Sequence, residues 1–314
     1  MSPTPDSSGV GRRLGVDVGG TKSLAVLIDD NGSVLDEARV PTPRGVGSGP
    51  AVIEAVAELA SAVIRRSGPV DSVGVGMPGL VTPDGVLRAA PNLDEVAEVD
   101  VAGELSAVLG RMVSVDNDAT CALLAEWTIG AGRGVDDLLL VTLGTGIGGG
   151  VVMGGRVLRG AHGFAGEFGH IMVDPNGPEC PCGRRGCWER YASGSGLNEL
   201  GRGLQLGGSG LADGPAILSA ARRGLPEALE VVERFASWVG IGLAGLTNSF
   251  DPSTIILGGG LVTDADVFLS RIEDHVRLNL YSSTARPTPR ILCAELGERA
   301  GAIGAALLVL PPGR

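Results

Sequence analysis

The chain has 314 residues, which is enough for two domains of ordinary size, each with its own apolar core. Its formal net charge is -11 and it contains no basic run, which argues against a nucleic-acid partner or an anionic membrane surface. No apolar run reaches the roughly 18 residues that a membrane helix needs. The opening residues MSPTPDSSGV lack the apolar centre of a secretion signal, so we expect a cytoplasmic protein with reduced thiols.

The first patterned stretch follows residues 1–11, which are rich in Pro, Ser and Gly and are expected to be disordered. It predicts an antiparallel meander of three strands, whose first turn lies in the sequence DVGGTK from Asp17 to Lys22. Gly19 and Gly20 allow backbone amides to approach an anion closely, and Asp17 stands where Mg²⁺ or its water could be held. By itself such a turn is more often a simple hairpin.

Two further strands end in polar or glycine residues. The strand over 72–77 ends in Pro78-Gly79, and a strand over 112–115 leads through Asp116, Asn117 and Asp118 into a helix. An acidic residue at the carboxyl end of a strand is a common catalytic position in open α/β sheets. It is also a common helix N-cap, and this stretch alone favours the cap.

Residues 138–158 repeat the opening pattern. Aligning the two stretches places Gly144 over Gly19 and Thr145 over Gly20, about 125 residues apart. A strand, glycine turn and strand at the start of two α/β halves predicts a duplicated fold, with phosphate-binding hairpins facing each other across a cleft. Two unrelated hairpins in a glycine-rich chain are the alternative. Later, a strand ends in the glycines 258–260, which suit a nucleoside, and an apolar helix is predicted over 300–310.

The most unusual chemistry of the chain lies between residues 161 and 196. Three of the five cysteines (Cys180, Cys182 and Cys187) follow His170 within seventeen residues, in a segment rich in Pro and Gly. Three thiolates and one imidazole form a complete tetrahedral set for structural zinc, with no position left open for water. A disulfide or unpaired surface thiols are the alternatives, and the expected reducing compartment disfavours the disulfide.

Two carboxylates flank this cysteine segment. Glu167 lies three residues before His170, and Glu189 lies two residues after Cys187. Carboxylates accept hydrogen bonds from hydroxyls, and a metal-bound imidazole keeps one ring nitrogen for another partner. The set therefore suits a polyhydroxyl ligand, although each Glu could equally be a solvated surface charge.

Taken in order, these motifs resemble the ROK sugar-kinase family, and within it the bacterial ATP-dependent glucokinases. The resemblance covers nearly the whole chain after residue 11 and rests on seven segments, which are DVGGTK (17–22), PG (78–79), DNDA (116–119), LGTGIGGG (143–150), GEFGH (166–170), CPCGRRGCWE (180–189) and ILGGG (256–260). It implies an α/β, actin-like (ribonuclease H-like) ATPase fold of two domains with a duplicated core and an interdomain cleft. It also implies ATP-dependent phosphorylation of glucose to glucose 6-phosphate, and a homodimer or homotetramer.

The resemblance also implies a role for each matching residue. Asp118 corresponds to the general base that takes the proton of the sugar 6-hydroxyl. The sugar-binding set is Gly79, Asn117, Asp118, Glu167, His170 and Glu189. The residues implied for ATP and its Mg²⁺ are Asp17, Gly19, Gly20, Thr21 and Lys22, with Gly144, Thr145 and Gly146 as a second phosphate turn and Gly258 and Gly259 at the adenosine. The zinc ligands would be His170, Cys180, Cys182 and Cys187.

Domain limits follow from these positions. We expect a small α/β domain over 12–119, completed by a C-terminal helix within 300–314, and a large α/β domain over 120–299 that carries the zinc loop 170–187. Another hexose or an N-acetylhexosamine such as N-acetylmannosamine stays open as substrate, and polyphosphate stays open as donor. A sugar-sensing ROK regulator is disfavoured, because DVGGTK begins at residue 17 and leaves no room for a DNA-binding domain before it.

Overall fold

The computed structural model describes residues 11–45, 48–90, 93, 98–204 and 213–308. The chain divides into two compact units, Met1–Ala125 with Arg299–Arg314, and Glu126–Glu298. The disordered extension predicted for residues 1–11 lies, apart from Gly11, outside the described residues. No helix in these described ranges is long and apolar enough to cross a membrane.

The first unit contains one large sheet and one small one. Its strands are β1 (Arg13–Val18), β2 (Lys22–Ile28), β3 (Val34–Pro41), β4 (Ser72–Met77), β5 (Leu80–Val81), β6 (Val86–Ala89), β7 (Val99–Asp100) and β8 (Val113–Asn117). The helices that accompany them are α1 (Ser48–Ser67), α2 (Val101–Leu109) and α3 (Asp118–Thr128). The large sheet has the order β3-β2-β1-β4-β8, and β5, β6 and β7 form the small one.

The second unit is built on a sheet of the same design. Its strands are β9 (Leu138–Leu143), β10 (Ile147–Met153), β11 (Arg156–Val157), β12 (Thr254–Gly258) and β13 (Arg290–Cys293). Its helices are α4 (Glu189–Ala192), α5 (Gly194–Leu200), α6 (Gly214–Arg222), α7 (Pro226–Phe250) and α8 (Ala265–Asn279), with 3₁₀ turns at Phe168–His170, Gly260–Asp264 and Gly297–Arg299. The sheet order is β11-β10-β9-β12-β13.

The two large sheets confirm the predicted duplication. In each, three strands form an antiparallel meander, and two later strands add in parallel beside the first. The glycine turns that the sequence aligned, at Gly19 and at Gly144, both connect the first strand of a sheet to the second. Equivalent turns in equivalent sheets are therefore a property of the fold and not a coincidence of composition.

Burial explains why these segments form these elements. β4 is buried along its whole length, as expected for a parallel strand that is covered on both faces. α1 buries apolar residues at helical spacing, including Val52, Val56, Leu59 and Val63, and so covers one face of the first sheet. In the second unit, α7 and α8 pack around Phe235 and Phe268, whose rings meet edge to face at a centroid distance of 5.6 Å.

The chain returns to the first unit through α9 (Ala300–Leu307), in which every residue is buried. This matches the predicted apolar helix as far as residue 307, while residues 309–314 lie outside the described part. α9 can lie flat on the sheet because glycines face it. A Cβ built on Gly15 would lie 1.8 Å from the Ala302 carbonyl oxygen, and one on Gly74 would lie 1.9 Å from that of Ala305.

Replacing Gly74 by Ala is therefore expected to destabilise the first unit. The added methyl group meets main chain, which cannot rotate away, so α9 must shift from the sheet at a cost of about 3 kcal/mol in the free energy of unfolding. Urea denaturation followed by circular dichroism would measure the cost as a lower midpoint. Gly245→Ala is the matched control, because a Cβ on this helical glycine has no neighbour within 4 Å. An unchanged midpoint for Gly74→Ala would contradict this account of α9 packing.

A buried carboxylate organises the start of the second unit. Glu126 is fully buried, and its Oε2 accepts hydrogen bonds from the amides of Ala131 at 2.9 Å and Glu295 at 3.2 Å. Its Oε1 accepts from the Leu296 amide at 2.8 Å. Three amide donors compensate for the loss of water around the charge. They also join two segments that are far apart in sequence, the end of α3 and the chain that leads to α9.

Candidate active site

Asp118 stands at the junction of β8 and α3, as the first residue of the helix. The helix cap is made by its neighbour: Asn117 Oδ1 accepts the Thr120 amide at 3.0 Å, while Asn117 Nδ2 donates to the Gly79 carbonyl oxygen at 3.1 Å. The expectation that an acidic residue caps this helix is therefore wrong, because Asn117 occupies the capping position. Asp118 Oδ1 accepts a hydrogen bond from the adjacent Ala119 amide at 2.8 Å.

Asp17 lies beside Asp118 in the same unit. The position that a Cβ on Gly76 would take is 3.4 Å from Asp118 Cα and 3.5 Å from Asp17 Oδ1, so both acids border one glycine of β4. Burial, together with the negative charge of Asp118, raises the pKa of Asp17 to about 7. A buried carboxyl group whose ionisation is opposed by a neighbouring carboxylate lies where a bound cation is favourable, which fits the magnesium expected here.

The first glycine turn, from Val18 to Lys22, is fixed by side chains that donate hydrogen bonds to its carbonyl oxygens. Thr42 Oγ1 donates to the Gly19 oxygen at 2.7 Å, and Arg44 Nε donates to the Gly20 oxygen at 2.6 Å. The Gly19 amide closes the turn by donating to the Lys22 oxygen at 3.0 Å. Sequence reasoning missed Thr42 and Arg44, which lie beyond β3 and belong to no recognisable motif.

The second glycine turn, from Leu143 to Ile147, is held by α5 and by Glu189. The Gly194 amide donates to the Gly144 oxygen at 2.7 Å. Ser195 Oγ and the Ser195 amide donate to the Thr145 oxygen at 2.8 and 3.4 Å. Glu189 Oε2 accepts from the Ile147 amide at 3.4 Å.

The glycines that the resemblance places at the adenosine lie against this second turn. β12 ends at Gly258, and Gly259 follows with φ of +83°, a conformation that favours glycine. A Cβ on Gly259 would come within 2.6 Å of the backbone carbon of Leu143, the residue that precedes the turn. The structure therefore places Gly258 and Gly259 next to Gly144 within the second unit.

The four predicted zinc ligands converge. One atom from each of His170, Cys180, Cys182 and Cys187 lies within 4.8 Å of every other. The Sγ atoms of Cys182 and Cys187 are 3.6 Å apart, and Cys180 Sγ is 3.8 Å from His170 Nδ1. With zinc–sulfur bonds of about 2.3 Å, tetrahedral geometry requires sulfur atoms about 3.8 Å apart, so these residues fit the ion. Burial raises the pKa values of the Cys180 and Cys187 thiols.

The two flanking carboxylates meet the same histidine. His170 Nε2 is 3.9 Å from Glu167 Oε2, and His170 Nδ1 is 3.8 Å from Glu189 Oε1. Burial raises the pKa of Glu167. All three side chains remain partly exposed, at 32% for His170, 37% for Glu167 and 17% for Glu189. The array thus presents two acceptors and an imidazole at a partly open surface of the second unit, next to the three clustered cysteines.

The structure groups the predicted residues within each unit. Asp17, Gly79, Asn117 and Asp118 lie together in the first unit, with the first glycine turn on the same sheet. The second unit brings together the second glycine turn, Gly258 and Gly259, the carboxylates and the cysteines. Lys22 begins β2 with an exposed side chain.

A family model with the description ROK family matches residues 13–311. The chain belongs to the ROK family. Among relatives of this ROK protein, the glucokinase of Streptomyces coelicolor is 37% identical, over 96% of this chain and 99% of the relative. The N-acetyl-D-glucosamine kinase of Shigella boydii is 35% identical, over 94% of this chain and 98% of the relative.

A solved structure extends the comparison to the fold. It is a ROK family glucokinase from Streptomyces griseus in complex with glucose and AMPPNP, 36% identical to this ROK chain. It superposes with a TM-score of 0.85, over 95% of this chain and 99% of the other. The prediction of an α/β, actin-like ATPase fold with two domains is thereby confirmed. The ROK chain is a homologue of hexose kinases over 95% of its length.

Proposed function

We propose that this ROK protein phosphorylates glucose with ATP to give glucose 6-phosphate. The observation that carries the proposal is the similarity, along almost the entire chain, to the Streptomyces griseus glucokinase whose structure holds glucose and AMPPNP. We propose that the side chains described above supply what the reaction needs. Phosphoryl transfer demands positioning, charge neutralisation and a base near the attacking hydroxyl, with little covalent work from the protein.

Asp118 is proposed as the general base. Its carboxylate would accept the proton of the sugar 6-hydroxyl as the oxygen attacks the terminal phosphorus of ATP. Asn117 and Gly79, which hydrogen-bond each other, would bind hydroxyls near the reacting one. Glu167, His170 and Glu189 would accept and donate hydrogen bonds at the remaining ring hydroxyls.

The two glycine turns are proposed to bind the phosphates through backbone amides. Gly19, Gly20 and Thr21 would form one cradle, and Gly144, Thr145 and Gly146 the other, with Gly258 and Gly259 under the adenosine. Asp17 would hold the Mg²⁺ that accompanies ATP, and Lys22 would add positive charge near the first turn. Bound Mg²⁺ supplies neutralisation of the developing phosphate charge.

A structural zinc ion is proposed for the cluster of His170, Cys180, Cys182 and Cys187. Four protein ligands complete its coordination, so the ion would shape the loop and take no part in the reaction. Because His170 would bind through Nδ1, its Nε2 would stay directed toward Glu167 and available to the sugar. The expectation of a homodimer or homotetramer stays a prediction.

An N-acetylhexosamine is the second candidate substrate. It is favoured by the 35% identity to an N-acetyl-D-glucosamine kinase, which is close to the 37% identity to a glucokinase. The partly open carboxylate array accepts hydroxyls from either sugar.

Sugar specificity can be measured with a coupled assay of ADP release. Mg-ATP would be offered with glucose, mannose, fructose, N-acetylglucosamine and N-acetylmannosamine in parallel, and polyphosphate would be tried as an alternative donor. We expect glucose to give the highest kcat/KM, by at least about tenfold, because hydrogen-bonding sites discriminate strongly between sugars that do and do not complete them. Preference for an acetylated sugar would keep the mechanism and change the substrate. No measurable phosphorylation of any of these sugars, with either ATP or polyphosphate as donor, would refute the kinase proposal.

A further inference from the structure

We propose that Ser195 and Thr42 are positioning residues, which hold the two glycine turns in the conformation that binds phosphate. The inference rests on the proposed function, since it concerns how the same turns meet ATP. Neither residue is expected to touch the nucleotide. The hydroxyl of each residue donates to one carbonyl oxygen of its turn, Thr42 to that of Gly19 and Ser195 to that of Thr145.

The same two carbonyls are held in both turns. In the first turn they belong to Gly19 and Gly20, and in the second to Gly144 and Thr145, which the sequence alignment places at equivalent positions. We call these four groups the anchored carbonyls. A hydroxyl donates to one of them in each turn, from Thr42 at 2.7 Å and from Ser195 at 2.8 Å.

Anchoring a carbonyl fixes the direction of the next amide. A trans peptide group holds its C=O and the following N–H on opposite sides, and the described residues contain no cis peptide bond. The amides that follow the anchored carbonyls belong to Gly20, Thr21, Thr145 and Gly146. Each of these N–H groups therefore points away from the group that anchors the preceding carbonyl, which is Thr42, Arg44 or α5.

These four amides are also available. Within the described part of the chain, none of them donates a hydrogen bond to another protein group. Pairs of successive free amides form a concave binding place for an anion. The alternative orientation of each peptide would direct a carbonyl oxygen at the phosphate and repel it, so the anchors select the binding orientation before the nucleotide arrives.

The anchors come from unrelated parts of the chain. Thr42 follows β3 of the first sheet, whereas Ser195 lies in α5, which follows the cysteine loop and α4. Thr42 is itself buried and shares a hydrogen bond of 3.0 Å with Ser23 Oγ, which orients its hydroxyl. Different segments therefore hold the equivalent pair of carbonyls in the two turns. This indicates that the function of both turns requires the carbonyls to be fixed in this orientation.

The test is direct binding of AMPPNP with Mg²⁺, measured by isothermal titration calorimetry on the full chain. Ser195→Ala and Thr42→Val each remove one hydroxyl donor, and we expect the Kd to rise about five- to tenfold in each, as for the loss of one hydrogen bond. The KM for ATP should rise in parallel, while the KM for glucose and the kcat at saturating ATP stay within about twofold. Ser195→Thr and Thr42→Ser keep the hydroxyl and should restore the wild-type Kd.

Ser249→Ala is the matched control. The Ser249 hydroxyl donates to the Gly245 carbonyl at 2.9 Å on an exposed part of α7, so its loss removes the same kind of bond away from both turns. A wild-type Kd in both Ser195→Ala and Thr42→Val would overturn the inference, provided that the wild type binds AMPPNP and phosphorylates a sugar. A wild type that does neither would refute the proposed function itself. An equal loss of affinity in Ser249→Ala would also overturn the inference.

Discussion

Asp118→Asn is expected to leave a folded protein that phosphorylates its sugar about 10² to 10⁴ times more slowly, which is the usual contribution of a general base. The amide has nearly the shape of the carboxylate and can still accept the Ala119 amide, but it cannot take the hydroxyl proton. Because the helix cap is made by Asn117, α3 should keep its start. The coupled ADP assay would show the loss in kcat, with a smaller change in the KM for ATP.

Asp100→Asn is the matched control for this variant. Asp100 is a true N-cap, whose Oδ1 accepts the Gly103 amide at 2.8 Å at the start of α2. Asn caps helices as well as Asp, so both variants should fold, and Asp100→Asn should keep its turnover. Wild-type turnover in Asp118→Asn would remove it from the mechanism.

Cys182→Ser is expected to lose bound zinc and, with it, both stability and sugar affinity. Structural zinc contributes about 10 to 16 kcal/mol of apparent binding free energy in small zinc peptides, so loss of one thiolate should lower the melting temperature clearly. Without the ion, the His170 ring would keep only its weaker contacts with Glu167, Glu189 and Cys180, and the KM for sugar should rise about tenfold or more. Zinc per chain would be measured by inductively coupled plasma mass spectrometry, beside thermal unfolding and sugar titration.

The half-buried Cys293 offers the matched control, since it ends β13 and is not among the clustered ligands. Cys293→Ser should keep one zinc ion per chain and the wild-type KM. If Cys182→Ser kept its melting temperature and its sugar affinity, the loop would be ordered by its own hydrogen bonds and the proposed role of zinc would be wrong.

Much of the fold could be predicted, because its signals are local. Strand periodicity and the paired Gly/Thr turns were enough to indicate two meanders of the same design, and the spacing of three Cys and one His was enough to bring four ligand atoms together. These features depend on residues close in sequence, for which patterns of two, three or four residues have direct structural meaning.

Contacts between distant segments could not be predicted in the same way. The residue that caps α3 could not be predicted, because Asn and Asp have nearly equal propensities as N-caps. The sequence therefore does not tell whether Asn117 or an adjacent Asp accepts the Thr120 amide. The partners of the turn carbonyls lie 23 residues away for Gly19 and 50 residues away for Thr145. Glu126, whose carboxylate reaches an amide 170 residues later, carries no motif at all.

The packing of α9 has a consequence for the order in which the protein is made. Gly15 and Gly74 emerge from the ribosome early, yet the helix that covers them comes from residues 300–307. Until residue 307 has been synthesised, the face of the first sheet that α9 covers stays exposed. By then the segment Glu126–Glu298 is complete and can form its own core. The half of the protein that is translated first therefore cannot complete its packing until its last helix has been made.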